Sequence, residues 1–292
     1  MSAYNPSTCL ICSSPKKQKL FLTRPDFRVY TCSSCTNGFL YPTPKKIAKY
    51  YPETYWNISG PAGFLKQQIY RFFQQRRPGW IRSKLKKGAN VLDIGSGEAE
   101  FAASLPDYKV TSIDFPASKI KNPEVLKVDF LNWQPNQEFD AVVFWQSLEH
   151  IPNPQLYIKK ANQIIKKDGL LFVECPRFDS FESRLFNQNW YHLDPPRHLF
   201  HFSKAGLKAI LKKNKFTDIH IYNVFSPEYI YPGFLISLTN TLGINALDLY
   251  LKKKLRWQII LIILLMPVSF ISASLQQILG NSPIMLAVAR KK

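Results

Sequence analysis

Residues 91–101 read Val-Leu-Asp-Ile-Gly-Ser-Gly-Glu-Ala-Glu-Phe, and this stretch decides the fold. A short apolar run ends at a turn with two glycines, Gly95 and Gly97, and a helical pattern follows over 98–105. Because glycine has no Cβ, the backbone can turn tightly here and lie against a ligand. The first N–H groups of the following helix favour polar or anionic ligand groups. The pattern predicts a strand, a glycine turn and a helix at a binding site, although a plain tight connection would read the same way.

Further apolar runs continue the pattern of a parallel sheet. The run that ends at Asp114 lies about 20 residues after the glycine turn, where a nucleotide-binding fold places an acid for ribose hydroxyls. The next run ends at Asp129, and the one after it leads into Glu149-His150. Strands are predicted at 109–114, 125–128, 139–145, 170–176, 218–224 and 284–289, and helices at 156–165 and 203–214. A turn at 167–169 is predicted to end the first of these helices.

These motifs resemble those of class I S-adenosylmethionine-dependent methyltransferases. The segment 147–152 is similar to the motif after the fourth strand of that family, and 170–176 to its fifth strand. The resemblance covers 88–224 and 284–290 and implies an α/β fold with a doubly wound, Rossmann-like sheet of seven strands. It implies S-adenosylmethionine as the cofactor, held by Asp93, Gly95, Gly97, Asp114, Asp129 and Phe130.

One residue departs from the family pattern, because Ala99 stands at the third glycine of the first motif. Alanine is small enough for close packing of helix and strand, so we expect cofactor binding to survive. The glycine turn alone would also suit an NAD-binding Rossmann enzyme. The acid at Asp129 and the Glu149-His150 pair argue against that alternative.

The net charge of +19 on 292 residues is spread unevenly. Residues 1–90 carry 16 Lys/Arg against two acids, 91–200 carry 11 against 15, and 201–292 carry 12 against three. Basic flanks around an acidic centre favour phosphate partners, which means an anionic membrane surface or nucleic acid. Residues 1–30 show no apolar signal-peptide core, and paired cysteines suit a reducing compartment, so we expect the cytosolic side.

Two Cys-x-x-Cys pairs near the start of the chain have the spacing of a zinc ribbon. Nineteen residues separate the pairs, and 19–23 and 28–31 read as a hairpin between them. Four thiolates would fill a tetrahedral coordination sphere, so the ion is expected to be structural. Two disulfides are the alternative. The metal ligands are predicted to be Cys9, Cys12, Cys32 and Cys35, in a zinc ribbon over 1–44.

The segment 45–87 is predicted to be a basic, aromatic, helical linker. Its tyrosine-rich part, 50–56, resembles a segment of a subset of bacterial methyltransferases, several of which act on sugars, and this implies either a place at the substrate cleft or aromatic packing between ribbon and core. Residues 66–87 contain eight basic residues and no acid, and Pro78-Gly79 is predicted to divide them into two helices. Their apolar residues face either the core or an anionic lipid or phosphate surface.

A loop rich in histidine follows the fifth strand, and strand ends of this kind line the ligand crevice. Imidazole titrates near working pH and can act as a general base for a hydroxyl. Some of these histidines could equally cap the helix that starts after Ser203. The candidate catalytic residues are His150, His192 and His198.

Residues 225–283 are mostly apolar and separate the predicted sixth and seventh strands. No charged residue occurs in 257–289, while Lys252, Lys253, Lys254 and Arg256 precede it. Because the seventh strand must return to the same sheet, one crossing of a bilayer is excluded. We expect a membrane-associating insertion that enters the bilayer from one side, with a buried core helix as the alternative.

The sequence therefore predicts a methyltransferase domain over 88–224 and 284–292, at the cytosolic face of a membrane. The expected reaction is methyl transfer to a membrane-presented acceptor, a sugar or glycan on a lipid carrier. An RNA methyltransferase that grips phosphates with its ribbon and basic flanks is the alternative. A non-enzymatic membrane adaptor is a further one. The acceptor atom and the oligomeric state stay open.

Overall fold

The computed structural model describes residues 6–16, 18–44, 50, 68, 71–244 and 257–292. Residues 51–56 of the tyrosine-rich segment and the basic run 252–256 lie outside this part. The strands are β1 (Lys19–Thr23), β2 (Arg28–Thr31), β3 (Gly38–Tyr41), β4 (Asn90–Ile94), β5 (Lys109–Asp114), β6 (Leu126–Lys127), β7 (Phe139–Trp145), β8 (Ile165–Pro176), β9 (Phe200–His201), β10 (Phe216–Asn223) and β11 (Ile284–Lys291). The helices are α1 (Arg76–Arg82), α2 (Glu100–Ala103), α3 (Pro154–Ile164), α4 (Phe181–Phe186), α5 (Lys204–Lys213), α6 (Pro227–Thr241) and α7 (Trp257–Ile278).

The larger sheet of the described residues has seven strands in the order β10-β11-β8-β7-β4-β5-β6. Strand β11 is antiparallel to both of its neighbours, and the other pairings are parallel. Strand β10 therefore runs in the same direction as β4 and β8. The predicted α/β, Rossmann-like sheet of seven strands is confirmed. All of its parallel strands end at one edge, which we call the carboxyl edge.

Both faces of this sheet are buried, as the unbroken apolar runs of the strands predict. In β4, Leu92 and Ile94 face one core, while Val91 faces the other. Helices α3 and α5 cover the first face, and α1 reaches the second through Ile81. The central strands are therefore fixed in register, because a slip by one residue would exchange their two faces.

A smaller sheet has the order β1-β2-β3-β9. The hairpin strands β1 and β2 lie where the sequence predicts them. Strand β9, however, belongs to the loop after β8, and pairs Gly38 with His201 and Phe39 with Phe200. The cysteine-rich segment is thus joined to the main domain by backbone hydrogen bonds. The domain boundaries at 44, 87, 224 and 283 remain predictions.

Two local predictions are wrong. Helix α1 runs through Pro78-Gly79 without a break. Pro78 lies in the first turn, where the backbone N–H has no acceptor within the helix, so proline is tolerated there. The predicted turn at 167–169 is a bulge inside β8, where the register shifts opposite Phe139 and Ala141 and Asp168 has a φ of 64°.

Helices α6 and α7 lie in the chain between β10 and β11. They pack against each other, and the ring of Tyr231 stacks on that of Phe270 with centroids 4.7 Å apart. None of the described helices has the length and apolar character needed to cross a bilayer. Because β10 ends at the carboxyl edge, α6 starts there as well.

Candidate functional site

The turn between β4 and α2 depends on glycine at two positions. Gly95 has a φ of +75° and Gly97 a φ of +55°, which side chains disfavour. A Cβ on Gly95 would lie 2.6 Å from the Cβ of Ser147, so the segment after β7 packs directly on this turn. The N–H of Gly95 donates to the carbonyl of Ile113 (2.9 Å). The turn is therefore held between its two neighbouring strands, at the carboxyl edge.

Ala99 adopts a left-handed conformation with a φ of 61° just before α2. The sequence shows that the side chain is small, but it does not show that the backbone is left-handed at this residue. The left-handed conformation costs a residue other than glycine roughly 1–2 kcal/mol. The glycine that the family has at this position adopts it without that cost. The Ala99 methyl packs with Ile120 and Val125, which offsets part of that cost.

Two buried carboxyl groups stand beside the glycine turn. Asp114 ends β5, and its carboxylate accepts hydrogen bonds from the N–H of Gly97 (3.1 Å) and of Phe115 (2.8 Å). Burial raises the pKa of Asp114 to about 6. Asp93 in β4 is 1% exposed, and burial raises its pKa to about 7. Its Oδ1 has no hydrogen-bond partner among the described residues.

Asp129 and Phe130, which the resemblance predicts beside the adenine of the cofactor, take two different positions. Asp129 is exposed and accepts from the N–H of Leu131 (3.0 Å) and from Asn132 (2.6 Å), so it caps the turn after β6. Phe130 is buried, with its ring 5.1 Å from that of Tyr157. Asp129 is therefore available at the surface, whereas Phe130 contributes to the core beneath it. Both assignments to the cofactor remain predictions.

Two of the three candidate histidines lie together. The rings of His150 and His198 meet edge to face, 4.6 Å apart between centroids. Nδ1 of His150 donates to the carbonyl of Arg197 (3.0 Å), and Nδ1 of His198 to that of His192 (2.8 Å). Ligand atoms of Glu149 lie within 4.8 Å of those of both rings. Burial lowers the pKa of each imidazole to about 3, so both are neutral at physiological pH.

Glu149 is a member of this cluster that sequence reasoning left without a role. Its side chain is 1% exposed, and neither carboxylate oxygen has a hydrogen-bond partner among the described residues. Burial raises its pKa to about 8, so it is mostly protonated at neutral pH. A neutral carboxylic acid is a hydrogen-bond donor, which makes Glu149 a further candidate for contact with a ligand.

The third candidate, His192, faces another part of the molecule. A Cβ on Gly233 would lie 2.7 Å from its Nε2, so the ring packs closely on α6. The neighbouring N–H of Tyr191 donates to Ser237 Oγ (2.9 Å), also on α6. Burial lowers the pKa of His192 to about 3. His192 joins the histidine loop to α6, and its catalytic role remains a prediction.

An ion-pair cluster at the carboxyl edge was not predicted. Glu174 of β8 is fully buried and accepts from Arg76 (2.9 Å) and Arg77 (2.7 Å) of α1. Arg76 also contacts Glu228 of α6 (2.5 Å). The two arginines hold the pKa of Glu174 below its usual range despite burial. The basic segment thus directs two arginines inward, where they join α1, β8 and α6.

The four cysteines of the ribbon lie around one point. All of their sulfur atoms are within 4.8 Å of one another, and the Sγ atoms of Cys9 and Cys35 are 3.8 Å apart. All four are free thiols, so the disulfide alternative is not observed. The N–H groups of Ile11 and Ser34 point at Cys9 Sγ and Cys32 Sγ (3.3 Å each), which stabilises thiolates. This donor set suits a tetrahedral Zn²⁺ ion.

The ribbon also supports the histidine loop. Asn37, two residues after the last cysteine, accepts from the N–H of Ser203 (2.8 Å), and Thr36 Oγ1 lies 2.7 Å from Ser203 Oγ. Ser203 in turn caps α5 by accepting from the N–H of Gly206 (2.9 Å), as the sequence predicts. The cysteine-rich segment therefore fixes the end of the loop that carries His198.

The residues at the carboxyl edge fit S-adenosylmethionine. One buried oxygen of Asp93 has no hydrogen-bond partner in the part of the chain that the structure describes, and burial raises the pKa of Asp114. Hydroxyl and ammonium donors of a cofactor would therefore stabilise both carboxylates. The glycine turn leaves backbone close to that position, with no Cβ in between. These features match the first motif of the family that the sequence resembles.

Comparison with known proteins decides the family. The family described as "Methyltransferase domain" matches residues 64–221, which is more than half of the chain. The chain belongs to this family. The methyltransferase domain predicted from the sequence is thereby confirmed, and the dinucleotide-binding alternative is not supported.

Curated relatives of the methyltransferase domain act on different atoms. The (S)-tetrahydroprotoberberine N-methyltransferase of Eschscholzia californica is 30% identical over 129 residues, which are 39% of this chain and 35% of that protein. The ubiquinone biosynthesis O-methyltransferase of Coxiella burnetii is 26% identical over 222 residues, 70% of this chain and 83% of that protein. The chain thus spans about a third of the length of the plant relatives that it matches.

Solved structures show the same fold. A methyltransferase of Thermotoga maritima, described as a possible histamine N-methyltransferase, aligns with 84% of this chain and 99% of its own, with a TM-score of 0.51 and 17% identity. Phosphoethanolamine N-methyltransferase 2 of Haemonchus contortus, in complex with S-adenosylmethionine, aligns with 87% of this chain and 61% of its own, with a TM-score of 0.52 and 15% identity.

Proposed function

We propose that this protein transfers a methyl group from S-adenosylmethionine to a hydroxyl or carbon of a membrane-presented acceptor. The observation that carries the cofactor part is the pair of buried carboxyl groups, Asp93 and Asp114, on either side of a glycine turn. When bound, S-adenosylmethionine supplies an electrophilic methyl group on a positively charged sulfur. The protein's main contribution is then proximity and orientation of the acceptor.

A hydroxyl acceptor must lose its proton as its oxygen bonds to the methyl group. The Nδ1–H of His150 donates a hydrogen bond to the carbonyl of Arg197, so the lone pair of the ring lies on Nε2. Nε2 of the neutral imidazole can accept that proton, but only as a weak base, because burial lowers the pKa of His150 to about 3. The ring of His198 packs edge-on against that of His150. Glu149, protonated beside them, would donate a hydrogen bond rather than accept the proton.

We expect the affinity for S-adenosylmethionine to rise with pH between about pH 5.5 and 8. Asp93 and Asp114 have pKa values raised to about 7 and 6, and the ionised carboxylates are the stronger acceptors for the cofactor's ammonium and hydroxyl groups. Binding should therefore release protons below pH 7. Calorimetric titrations at several pH values, in buffers of different ionisation enthalpy, measure both effects. A pH-independent affinity without proton release would contradict this role for the two acids.

The acceptor that we propose is a sugar or glycan on a lipid carrier, at the cytosolic face of a membrane. Its support is the placement of α6 and α7. Both follow β10, which ends at the same carboxyl edge as the cofactor residues, with three strands between it and β4, and α6 contacts the loop of His192. An apolar helix pair at that edge suits an acceptor held in a membrane. Because the relatives include both N- and O-methyltransferases, they do not identify the acceptor atom, and a hydroxyl or carbon acceptor is part of the proposal.

We also propose structural zinc in the ribbon. Its four ligands would be Cys9, Cys12, Cys32 and Cys35, which leave no open position for chemistry. The ion would hold the small sheet, whose last strand, β9, continues into the cap of α5.

Two observations weigh against the RNA alternative. The basic helix α1 uses Arg76 and Arg77 in ion pairs with buried acids, so these charges are not presented to phosphates. A cavity of about 660 Å³ is lined by lysines, including Lys208, Lys212 and Lys215, but it lies where α5 ends and β10 begins. That is the opposite edge of the sheet from the cofactor residues.

A labelling experiment separates the two acceptor classes. Zinc-loaded protein is incubated with methyl-tritiated S-adenosylmethionine and either a bacterial glycolipid extract or total RNA. We expect label in the glycolipid fraction and none in RNA, with Asp114→Ala as the inactive control. Label in RNA alone would overturn the acceptor proposal, as would label in neither fraction.

A further inference from the structure

Helix α7 leaves a broad apolar face uncovered. Large aliphatic side chains project from it with 52–79% of their surface exposed, although such residues are usually buried. A contiguous exposed apolar surface of this extent marks an interaction site rather than ordinary surface. Six of these residues, which define what we call the α7 face, are Ile260, Ile263, Leu264, Ile271, Leu275 and Ile278.

The side of α7 that meets the protein is narrow. Ser269, Ala273 and Gln276 are buried, and their spacing of four and three residues places them on one stripe of the helix. At about 100° per residue, the six residues of the α7 face, from Ile263 round to Leu275, span about 120° of the helix surface. About a third of the helix surface is therefore apolar and largely uncovered by the described residues.

Helix α7 is also held by α6, at the margin of the α7 face. Tyr231 of α6 stacks on Phe270 at 4.7 Å and its hydroxyl lies 3.2 Å from Ser274 Oγ. Helix α6 is itself joined to the site by Glu228, which pairs with Arg76, and by Gly233, which packs on His192. The α7 face thus has a fixed position relative to the carboxyl edge of the sheet.

An apolar face of this width suits a helix that lies in the surface layer of a membrane. Such a helix buries its apolar face about 5–10 Å into the boundary between lipid headgroups and acyl chains. The charge of the surrounding sequence favours lipid over a second copy of the chain.

Charge also identifies the kind of lipid surface. Residues 257–289 contain no charged side chain, so nothing on α7 opposes contact with acyl chains. Four basic residues, 252–254 and 256, come just before the helix in the sequence. Juxtamembrane basic residues are attracted to anionic headgroups.

We propose that the α7 face docks in the surface layer of an anionic bilayer without spanning it. Docking there brings the carboxyl edge, with Asp93, Asp114 and His150, close to the membrane, because α6 starts at that edge. The docking itself is independent of the catalytic activity. Only its consequence, presentation of an acceptor from the membrane, rests on the proposed function.

Vesicle flotation tests the docking surface on the full, zinc-loaded chain. The vesicles contain phosphatidylcholine and phosphatidylglycerol in a ratio of three to one. The test variant is Ile263→Gln, Leu264→Gln and Ile271→Gln, because glutamine is a good helix former and exposed positions tolerate it. The control variant is Leu20→Gln, Leu126→Gln and Leu156→Gln, at exposed positions on other elements.

We expect the wild-type chain and the control variant to float, and the test variant to lose at least about tenfold in partitioning. Pure phosphatidylcholine vesicles should bind the wild-type chain more weakly. Flotation of the test variant at the wild-type level would overturn the proposal. A wild-type dimer that does not float, and that the test variant converts to a monomer, would overturn it in favour of a second copy. Titration of S-adenosylmethionine on the same samples reports on the cofactor site separately.

Discussion

Asp114→Ala is expected to lower the affinity for S-adenosylmethionine by at least about 100-fold. The carboxylate ends β5 beside the glycine turn, at the place where the family holds the ribose hydroxyls. Hydrogen bonds to a charged group contribute about 1.5–3 kcal/mol each, and two of them correspond to about 100-fold or more. Equilibrium titration of the purified, zinc-loaded variant measures the effect.

The matched control for this prediction is Asp129→Ala. Asp129 also follows a strand at the carboxyl edge, but it is exposed and caps its own turn through Leu131 and Asn132. Asp129→Ala should lower the affinity for S-adenosylmethionine by less than about tenfold, because water screens an exposed carboxylate. Since Asp114 also accepts from Gly97 and Phe115, circular dichroism must show that the variant is folded. Wild-type affinity in folded Asp114→Ala would contradict the assignment of the site.

The double variant Cys32→Ser, Cys35→Ser is expected to lose its zinc and to unfold the ribbon. Structural zinc in small cysteine-rich modules contributes about 10–16 kcal/mol of apparent binding free energy, which is then also folding free energy. The effect should extend into the catalytic domain, because Asn37 and Thr36 bond to Ser203 at the cap of α5. Metal analysis and hydrogen exchange over residues 197–206 measure the two consequences.

Cys175→Ala is the matched control for the zinc prediction. Cys175 is a buried thiol in β8, far in sequence from the ribbon, and burial raises its pKa well above that of a free thiol. This variant should keep one zinc per chain and normal exchange protection in 197–206. Absence of zinc from the wild-type chain, or unchanged protection in the double variant, would show that the ribbon does not depend on a metal.

The sequence predicts the main sheet well because its signals are local. Strands β5 and β7 have the predicted bounds, and the glycine turn follows β4 as expected. The cap at Ser203 follows from one hydroxyl before a helical pattern. Each of these features depends on residues that are neighbours in the chain.

Features that depend on distant residues were not predictable. Glu174 meets Arg76 and Arg77 across about 98 residues, and no local pattern links a basic helix to an acid inside an apolar strand. Strand β9 has two residues, too few for any periodicity, yet it joins the ribbon to the domain. The helix break predicted at Pro78 is wrong, because proline disrupts a helix beyond its first turn and Pro78 lies in the first turn of α1.

The candidate site shows the same division. The acids and glycines that contact one another lie at strand ends, where the sequence predicts them. The three histidines were predicted as alternative bases, and the fold separates them, with His150 and His198 beside Glu149 and with His192 against α6. Their burial, which keeps them neutral, depends on packing that one sequence does not reveal.

Direct titration of S-adenosylmethionine on the zinc-loaded, full-length chain tests the central claim. The account predicts saturable binding of one molecule per chain, with an affinity that rises with pH and falls at least about 100-fold in Asp114→Ala. A folded chain that shows no saturable binding at any pH between about 5.5 and 8 would contradict it.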